Sequence, residues 1–345
     1  MSAPVLTRRL RLPAATLAVS LLATAGCEPA APQKQGAPPV QKVTYLTGFG
    51  LLGQDAYMFV AREKGFFRDV GLEVDIKPGA GTGENLKLLL AGKADFATID
   101  LTGAIIAYGT GARGFTTVAA VHQRSTSCII ALEGRGISGP RDLAGKTIGY
   151  QPGGVNYTLF PVYARLAGLD PTTVRWVSVP PPQIRTALAA GTVDAITELV
   201  VGKPGVESAA AGRTVVTLPY SDYLTDLYGN ALAVPLGFRA DTVTRFRDAM
   251  MRGLAYAIDH PAEAGQIFAK FQPQYPAKVA EAETALMAAY VRPDRAGVPI
   301  GALEPQRVMR SIALLQAAGA VPAGITPDQL VSFNLSPGAS ATAVR

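Results

Sequence analysis

The sequence predicts an α/β protein with two lobes, each a mostly parallel sheet flanked by helices. The first observation is an internal repeat: the stretch 89–98 (LLAGKADFAT) returns as 188–197 (LAAGTVDAIT), with Leu, Ala, Gly, Asp and Thr recurring at an offset of 99 residues. The second is that strand-like and helix-like segments alternate around both copies, a pattern typical of parallel sheets. A repeat of this length exceeds a solenoid unit, so it indicates two similar lobes with a cleft between them.

Local residue patterns predict the elements of the first lobe in order. Apolar or alternating runs favour strands, and helical runs end near glycines such as Gly65 and Gly92, which suit a helix C-terminus. Asp55 is a suitable N-cap for the first helix. The predicted strands are 43–47, 72–76, 95–99 and 116–122, and the predicted helices are 56–66, 84–91 and one that starts at 104.

The second lobe repeats this order, and the chain then becomes helical. Its predicted strands are 147–150, 174–179, 193–197 and 214–218, and its predicted helices are 156–166, 183–190 and 205–211. Further helices are predicted at 241–259 and within 261–271, 278–290 and 305–318. We therefore expect lobe 1 at 41–125, lobe 2 at 126–225, a helical return to lobe 1 at 226–335 and a tail at 336–345, with two hinge crossings joining the lobes.

The N-terminus indicates export from the cytoplasm. Three arginines precede a short uncharged apolar stretch within residues 1–26, which is the pattern of a signal peptide and fits Sec or twin-arginine export. Small residues before Cys27 resemble a bacterial lipobox, so we expect acylation of Cys27; an ordinary signal peptide with an incidental cysteine is the alternative. Residues 27–40 are rich in Pro, Ala and Gln and predict a flexible tether.

Charge and composition exclude several classes of function. The chain of 345 residues carries a formal charge of +6, which falls to +3 when the three arginines of residues 1–26 are removed. No cluster of Lys and Arg favours nucleic acid as a partner. His122 and His260 are the only histidines, and no Cys or carboxylate cluster accompanies them, so we expect neither a metal nor a cofactor. Cys128 lies in an apolar run and is expected to be a buried thiol, with a Cys27–Cys128 disulfide as the alternative.

The predicted topology places the candidate ligand site. In open α/β sheets, ligands bind beyond the carboxyl ends of the strands, where loops lead into helix N-termini. Glycine loops at these places expose backbone N–H groups that suit an anion or a polar ring substituent, although any one loop could serve only as a tight turn. The positions that this rule selects are Gln54, Asp55, Tyr57, Gly81, Thr82, Asp100 and Thr102 in lobe 1, and Gly153, Gly154, Asn156 and Glu198 in lobe 2.

Further candidates lie where the chain is expected to cross between the lobes. His122 could orient a ligand and Arg124 could pair with an anionic group, or both could be solvated hinge residues. Tyr228, at the return crossing, suits a flat ligand or could equally be packing. By contrast, the repeated carboxylates Asp95 and Asp194 each stand between a glycine turn and a strand. We expect these two to pin the same turn in both lobes rather than to bind a ligand.

No catalytic constellation is evident in the sequence. There is no Gly-x-Ser-x-Gly motif, and the serines, histidines and carboxylates form no recognisable triad. The glycine-rich loop 79–83 is not followed by Gly-Lys-Ser/Thr, and its glycines have the wrong spacing for a dinucleotide fingerprint. The sequence therefore predicts a binding protein and not an enzyme.

Four runs together resemble one known family. They are 61–67 (AREKGFF) followed by Gly71 and Leu72, 90–96 (LAGKADF), 142–149 (DLAGKTIG) and 188–195 (LAAGTVDA). These runs resemble segments of the substrate-binding proteins of ABC importers, in the group of sulfonate, nitrate, taurine and thiamin-pyrimidine binders called NMT1/THI5-like. The similarity spans roughly residues 43–270.

The resemblance implies a two-lobed periplasmic-binding-protein fold of type II, which closes on a small-molecule ligand by a hinge. It also implies delivery of that ligand to a membrane permease with its ATPase. We expect a monomer in the periplasm or at the outer face of the cell membrane, held there by a lipid on Cys27.

The resemblance leaves the ligand and two other functions open. Hydroxyl and backbone donors at Thr82, Thr102 and Gly153 would favour a sulfonate, taurine or nitrate, whereas Tyr228 would favour a planar, pyrimidine-like ligand. A periplasmic sensor that presents its closed form to a receptor is one alternative. An enzyme of the thiamin-pyrimidine or menaquinone-related group with the same fold is the other.

Overall fold

The computed structural model describes residues 40–152 and 154–338. The predicted signal peptide, Cys27, the tether up to residue 39, Gly153 and the end of the tail lie outside the described residues. The strands are β1 (Gln41–Leu46), β2 (Phe49–Gly50), β3 (Leu72–Lys77), β4 (Gly79–Ala80), β5 (Phe96–Asp100), β6 (Phe115–Ala120), β7 (Ser127–Leu132), β8 (Thr147–Tyr150), β9 (Arg175–Ser178), β10 (Ala195–Leu199), β11 (Val215–Pro219) and β12 (Asn230–Pro235). The helices are α1 (Ala56–Glu63), α2 (Phe66–Asp69), α3 (Thr82–Leu90), α4 (Leu101–Gly109), α5 (Val155–Leu166), α6 (Ile184–Ala190), α7 (Lys203–Ala209), α8 (Ala240–Asp259), α9 (Pro261–Phe271), α10 (Ala277–Val291) and α11 (Pro305–Ala317).

Most predicted elements are present, with ends that differ by a few residues. The predicted helix 56–66 is two helices, α1 and α2, because Gly65 adopts a left-handed φ of 77° between them. Two longer strands were not predicted. β7 is the apolar run around Cys128, which is buried as expected, and β12 contains alanines, which have a low strand propensity.

The first sheet has the strand order β3-β1-β5-β12-β6. β1 pairs in parallel with β3 and with β5. β12 lies between β5 and β6 and pairs antiparallel with both. Four of the five strands therefore run in one direction, and the prediction of a mostly parallel sheet is confirmed.

The second sheet has the order β11-β7-β10-β8-β9 and the same design. β8 pairs in parallel with β9 and β10, whereas β7 pairs antiparallel with β10 and β11. In each sheet the antiparallel strand is the first one after the chain arrives from the other sheet. A strand that enters from the carboxyl edge of its parallel neighbours must run against them, which explains both exceptions.

Two segments carry the chain between the sheets, and they lie side by side. Residues 121–126 lead from β6 to β7, and residues 220–229 lead from β11 to β12. The segments are hydrogen-bonded to each other, since Ser125 N donates to Leu227 O at 2.9 Å and Gly229 N donates to His122 O at 3.2 Å. We call each sheet with its helices a lobe, and this pair of segments is the double crossing that joins them.

The repeated aspartates make the same contact in both lobes. Asp95 Oδ2 accepts a hydrogen bond of 2.7 Å from Thr44 N on β1, and Asp194 Oδ2 accepts one of 2.8 Å from Thr147 N on β8. The backbone N–H groups of the two aspartates donate back to the carbonyls of these same threonines. The expectation that both aspartates pin the same turn is confirmed.

The helices after β12 cover the first sheet. Phe246 of α8 stacks on Phe96 of β5 with ring centroids 3.8 Å apart, and on Phe67 of α2 at 5.2 Å. α10 packs on α9 and also contacts α7 and the turn at 200–202 of the second lobe. The return helices therefore complete the core of the first lobe and reach across to the second. Every helix among the described residues is too short or too polar to cross a membrane.

Candidate functional site

A cavity of about 390 Å³ lies between the two lobes, at the carboxyl ends of the parallel strands. The first lobe contributes the loop after β1, the start of α3 and the end of β5. The second lobe contributes the start of α5, the start of α6 and the end of β10. The polar side chains in the lining are Gln54, Thr82, Asp100, Gln151, Asn156, Arg185, Thr197, Glu198 and Asn230.

Apolar side chains form much of the remaining lining. Leu51 and Leu52 belong to the first lobe, and Pro181, Pro182 and Ile184 belong to the second. The prolines begin a short 3₁₀ turn that leads directly into α6, so their position is fixed by the backbone. We call these five residues the apolar wall. A molecule that fills the cavity would therefore contact apolar surface from both lobes as well as polar groups.

The cavity brings together half of the residues that the sequence selected. The selected residues that line it are Gln54, Gly81, Thr82, Asp100, Gly154, Asn156 and Glu198. They lie where the rule about strand ends placed them, on loops and helix starts of both lobes. Gly153 lies outside the described residues.

Three selected residues of the first lobe lie beside the cavity without lining it. Asp55 accepts a hydrogen bond of 3.0 Å from Leu52 N, and burial raises the pKa of Asp55 to about 8. Tyr57 points into the core, where its hydroxyl lies 3.0 Å from that of Tyr45. Thr102 is buried in the first turn of α4, with 1% of its surface exposed.

Arg124 and Tyr228 pack against the return helices instead of lining the cavity. Arg124 donates to the carbonyl of Ala289, and its guanidinium lies 5.3 Å from the ring centre of Tyr290. The Tyr228 hydroxyl accepts a hydrogen bond of 3.0 Å from Glu304 N, while a guanidinium covers its ring. Both side chains thus hold the double crossing against α10 and the start of α11.

His122 is also absent from the lining and is enclosed in the double crossing. It is 1% exposed, and burial lowers the pKa of its imidazole to about 4. Neither ring nitrogen has a hydrogen-bond partner among the described residues. The Cβ atom that any larger residue would have at Gly229 would lie 2.9 Å from His122 Cβ. The two crossing segments are therefore in close contact at this point.

Asp100 occupies the junction between β5 and α4. Its carboxylate Oδ1 accepts a hydrogen bond of 3.0 Å from Gly103 N and so caps α4, and its own N–H donates to Thr82 Oγ1 at 3.0 Å. Burial raises the pKa of Asp100 to about 6, against the opposing effect of hydrogen bonds from Thr102 and Gly103. Thr82 and Asp100 therefore form one connected unit on the first-lobe side of the cavity.

Asn156 holds the start of α5 on the second sheet. Its Nδ2 donates to the carbonyl of Glu198 at 2.6 Å, and its Oδ1 accepts from Ser127 Oγ at 3.1 Å. Its own carbonyl accepts a hydrogen bond of 3.2 Å from the Tyr220 hydroxyl. Both ends of the amide are thus occupied by the protein, and Asn156 positions the backbone around Glu198.

Sequence reasoning missed Arg185, the cation in the described lining. Its Nη2 lies 3.0 Å from Glu198 Oε1, and its Nη1 lies 3.4 Å from Glu283 Oε1 of α10. The Tyr275 hydroxyl donates to the same Glu283 oxygen at 2.7 Å. Burial disfavours the charged form of Arg185, but the two carboxylates more than offset this and raise its pKa. No local pattern signals this cluster, because Glu283 lies on the return helices, far along the chain from Arg185.

Two glycines provide the space for the cluster formed by Arg185, Glu198 and Glu283. A Cβ atom added at Gly202 would lie 2.1 Å from Glu198 Oε1, and one added at Gly205 would lie 1.8 Å from Arg185 Nη1. Contacts this short are forbidden, so residues with side chains at these positions would displace the ion pairs. The cluster thus depends on the backbone of the turn and helix that follow β10.

Comparison with known proteins agrees with this architecture. The family described as "NMT1/THI5 like" matches residues 54–264, which is more than half of the chain. No curated protein matches the sequence.

Solved structures of binding proteins share the fold across both lobes. The alkanesulfonate-binding protein SsuA from Xanthomonas axonopodis pv. citri, bound to MOPS, is 17% identical with a TM-score of 0.67 over 85% of this chain and 99% of that chain. The periplasmic nitrate-binding protein NrtA from Synechocystis PCC 6803 is 14% identical with a TM-score of 0.68 over 87% and 88%. The periplasmic aliphatic sulphonate-binding protein SsuA from Escherichia coli is 18% identical with a TM-score of 0.63 over 86% and 92%. The chain therefore belongs to the NMT1/THI5-like family and has the two-lobed fold of periplasmic binding proteins.

Proposed function

We propose that the chain is an extracytoplasmic solute-binding protein of an ABC importer, which captures a small organic solute between its lobes. The observation that carries this proposal is the cavity of about 390 Å³, because its size suits a small molecule and both lobes line it. The family match and the names of the related structures, which bind sulfonates or nitrate, support the same role.

Capture proceeds by closure of the lobes about the double crossing. A ligand that contacts both lobes binds the closed form better than the open form, and it therefore shifts the population toward closure. The ion pair between Arg185 and Glu283, at 3.4 Å, joins the second lobe to α10 beside the cavity. The permease would then recognise the closed form and receive the solute.

The ligand contacts proposed here are side chains in the lining that the sequence selected. Gln54 is 5% exposed, and its Oε1 has no hydrogen-bond partner among the described residues. Thr82, Asp100 and Glu198 present a hydroxyl and two carboxylates to the same space. Asn156 acts through the backbone that it holds.

The lining supports binding without a chemical step. Among the described lining residues there is no His, Cys, Ser or Lys, and the carboxylates Asp100 and Glu198 therefore have none of these nucleophiles beside them to activate. His122, the candidate for orienting a ligand in the sequence, is enclosed in the double crossing. We therefore propose a binding protein and not an enzyme.

The remaining parts of the proposal concern location and partners. The signal-like residues 1–26 support export, and a lipid on Cys27 would hold a monomer at the outer face of the cell membrane, or in the periplasm, through the tether 27–40. The partners are a permease and its ATPase. The lobe boundaries that go with this proposal are 41–125, 126–225 and 226–335.

A thermal-shift screen of the exported protein tests the binding role. The panel contains sulfonates, nitrate, taurine, pyrimidines, flavins, aromatic acids and small amines. A ligand present at 100 times its dissociation constant should stabilise the protein by about 2.7 kcal/mol, and Asp100→Asn should reduce that gain. The matched control is Asp75→Asn on β3, where the side chain is 63% exposed. Well-folded protein that responds to no compound in the panel would refute the proposal.

A further inference from the structure

The cavity contains more negative than positive charge. The described lining contains the carboxylates of Asp100 and Glu198 and the guanidinium of Arg185. A third carboxylate, Glu283, stands directly behind Arg185 at 3.4 Å, and its side chain is 1% exposed. Three carboxylates thus share one guanidinium around this space.

Arg185 is already occupied by the protein. Both of its terminal nitrogens face carboxylate oxygens, Glu198 Oε1 at 3.0 Å and Glu283 Oε1 at 3.4 Å. An anionic ligand that paired with a remaining N–H group of Arg185 would lie beside these two carboxylates, whose like charge would repel it. Displacing one of the carboxylates would leave it buried without a partner, which is strongly unfavourable.

Helix N-termini do not reverse this balance. α3, α5 and α6 begin at the cavity, and each N-terminus acts as about +0.5 of a charge. Together they offset about 1.5 of the two surplus negative charges, so the balance stays negative. The N-terminus of α4 is already capped by Asp100 Oδ1, which accepts from Gly103 N at 3.0 Å.

Asp100 and Gln54 are the polar groups that a ligand could satisfy. Asp100 accepts a hydrogen bond from Gly103 N but forms no ion pair among the described residues, although only 8% of its surface is exposed. Gln54 is 5% exposed, lines the same cavity and has an unpartnered amide oxygen within the described chain. The Gln54 oxygen requires a hydrogen-bond donor, and a cation beside the Asp100 carboxylate would favour its charged form.

We infer that the solute bound in this cavity carries a cationic nitrogen, such as an amine or amidine, held by Asp100 from the first lobe and Glu198 from the second. The inference rests on the proposed solute-binding function and names its ligand class. The body of the solute lies against the apolar wall of Leu51, Leu52, Pro181, Pro182 and Ile184. The positive charge of this nitrogen offsets negative charge that Arg185 alone does not neutralise.

Titration calorimetry of the exported protein at pH 7.5 tests the inference with matched probes. Butyl and benzyl skeletons are each supplied as the amine, the alcohol and the sulfonate, so that only the charge of the end group changes. We expect at least one amine to bind at least tenfold more tightly than the alcohol and the sulfonate of its skeleton. A sulfonate or alcohol that binds as well as its amine would overturn the inference while leaving the solute-binding role intact. Absence of binding by both amines would also overturn it, and the broad thermal-shift screen then decides the solute-binding role separately.

Two variants locate the effect in the cavity. Asp100→Asn and Glu198→Gln should each weaken amine binding at least tenfold, whereas Asp75→Asn, at an exposed position of β3, should leave it unchanged. Asp100→Asn breaks no ion pair within the described chain, so this variant remains decisive even if Glu198→Gln unfolds by releasing Arg185. Amine binding that survives Asp100→Asn in folded protein would refute the assignment.

Discussion

Replacing Arg185 with Met should destabilise the protein strongly at pH 7 and weakly at pH 5. The guanidinium lies 3.4 Å from Glu283 Oε1, and the Glu283 side chain is 1% exposed. Met preserves much of the apolar stem of Arg185 but removes its charge. The variant therefore leaves two buried carboxylates, Glu283 and Glu198, without a cation.

Proton uptake by Glu283 sets the scale of its share of the loss. A carboxylate that cannot remain charged in the fold binds a proton, and for a glutamate with an ordinary pKa of 4.5 this requires about 3.4 kcal/mol at pH 7 and about 0.8 kcal/mol at pH 5. The hydrogen bond of 2.7 Å from Tyr275 lessens the loss, so we expect about 3 kcal/mol at pH 7.

The direction in which pH changes the stability of the variant depends on how the pKa of Glu283 changes. Burial already raises the pKa of Glu283, and Arg185 opposes that shift. Without Arg185 the folded state holds a proton that the unfolded state has released. The free energy of unfolding of the variant should therefore fall as the pH rises above 4.5, by about 1.4 kcal/mol for each pH unit.

Urea unfolding followed by circular dichroism at pH 5 and pH 7 measures the loss of stability and its dependence on pH. Arg165→Met is the matched control, because Arg165 is exposed on α5, and it should change stability by less than about 0.5 kcal/mol. A loss below about 1 kcal/mol at pH 7, or the same loss at both pH values, would refute the reasoning about the buried pair.

Three further predictions follow from other contacts. Binding of an amine probe should tighten by up to about tenfold per pH unit between pH 5 and 6 and then level off. Burial raises the pKa of Asp100 to about 6, and only the charged carboxylate binds the cation strongly. Calorimetry across this pH range measures the affinity. Asp95→Ala and Asp194→Ala should each lower the free energy of unfolding in urea by about 1–2 kcal/mol, because each removes the same carboxylate bond to a strand N–H. Gly205→Ala should lower it by about 1–3 kcal/mol, because the added Cβ would lie 1.8 Å from Arg185 Nη1.

Each of these predictions has a control and an outcome that would contradict it. The pH dependence of amine binding should disappear in Asp100→Asn, and a wild-type affinity that is flat from pH 5 to 6 would contradict the first. Asp75→Ala, at an exposed position, is the control for the two aspartate variants and should hardly change the free energy of unfolding. The losses for Asp95→Ala and Asp194→Ala should equal each other, and clearly unequal losses would contradict the second prediction. Gly139→Ala is the control for Gly205→Ala, because its added Cβ meets nothing within 4 Å; equal stability of these two variants would argue against crowding at Arg185.

The repeat and the order of elements could be predicted from sequence because they depend on local patterns. The glycine turns, the alternation of apolar residues and the repeated aspartates recur within short windows, and the same bond at Asp95 and Asp194 bears this out. β12 could not be predicted in this way. It is a short strand with alanines, and its pairing with β5 depends on the chain returning to the first lobe.

The residues of the candidate site also differ in whether sequence could place them. Gln54, Thr82 and Asp100 follow strands, so topology alone places them at the cavity. Tyr228 and Arg124 looked like ligand groups because they are polar or aromatic residues near a crossing. Their actual partners lie on the return helices, which sequence spacing does not reveal.

Native mass spectrometry of the protein, purified without dialysis, tests the solute-binding role most directly. The wild-type protein is compared with Leu199→Trp, which places a larger side chain in the lining. We expect one small-molecule adduct on each wild-type chain, either on purification or after incubation with the ligand panel, and none on the variant. Wild-type protein that carries no adduct in both samples, or an adduct that persists in folded Leu199→Trp, would contradict it.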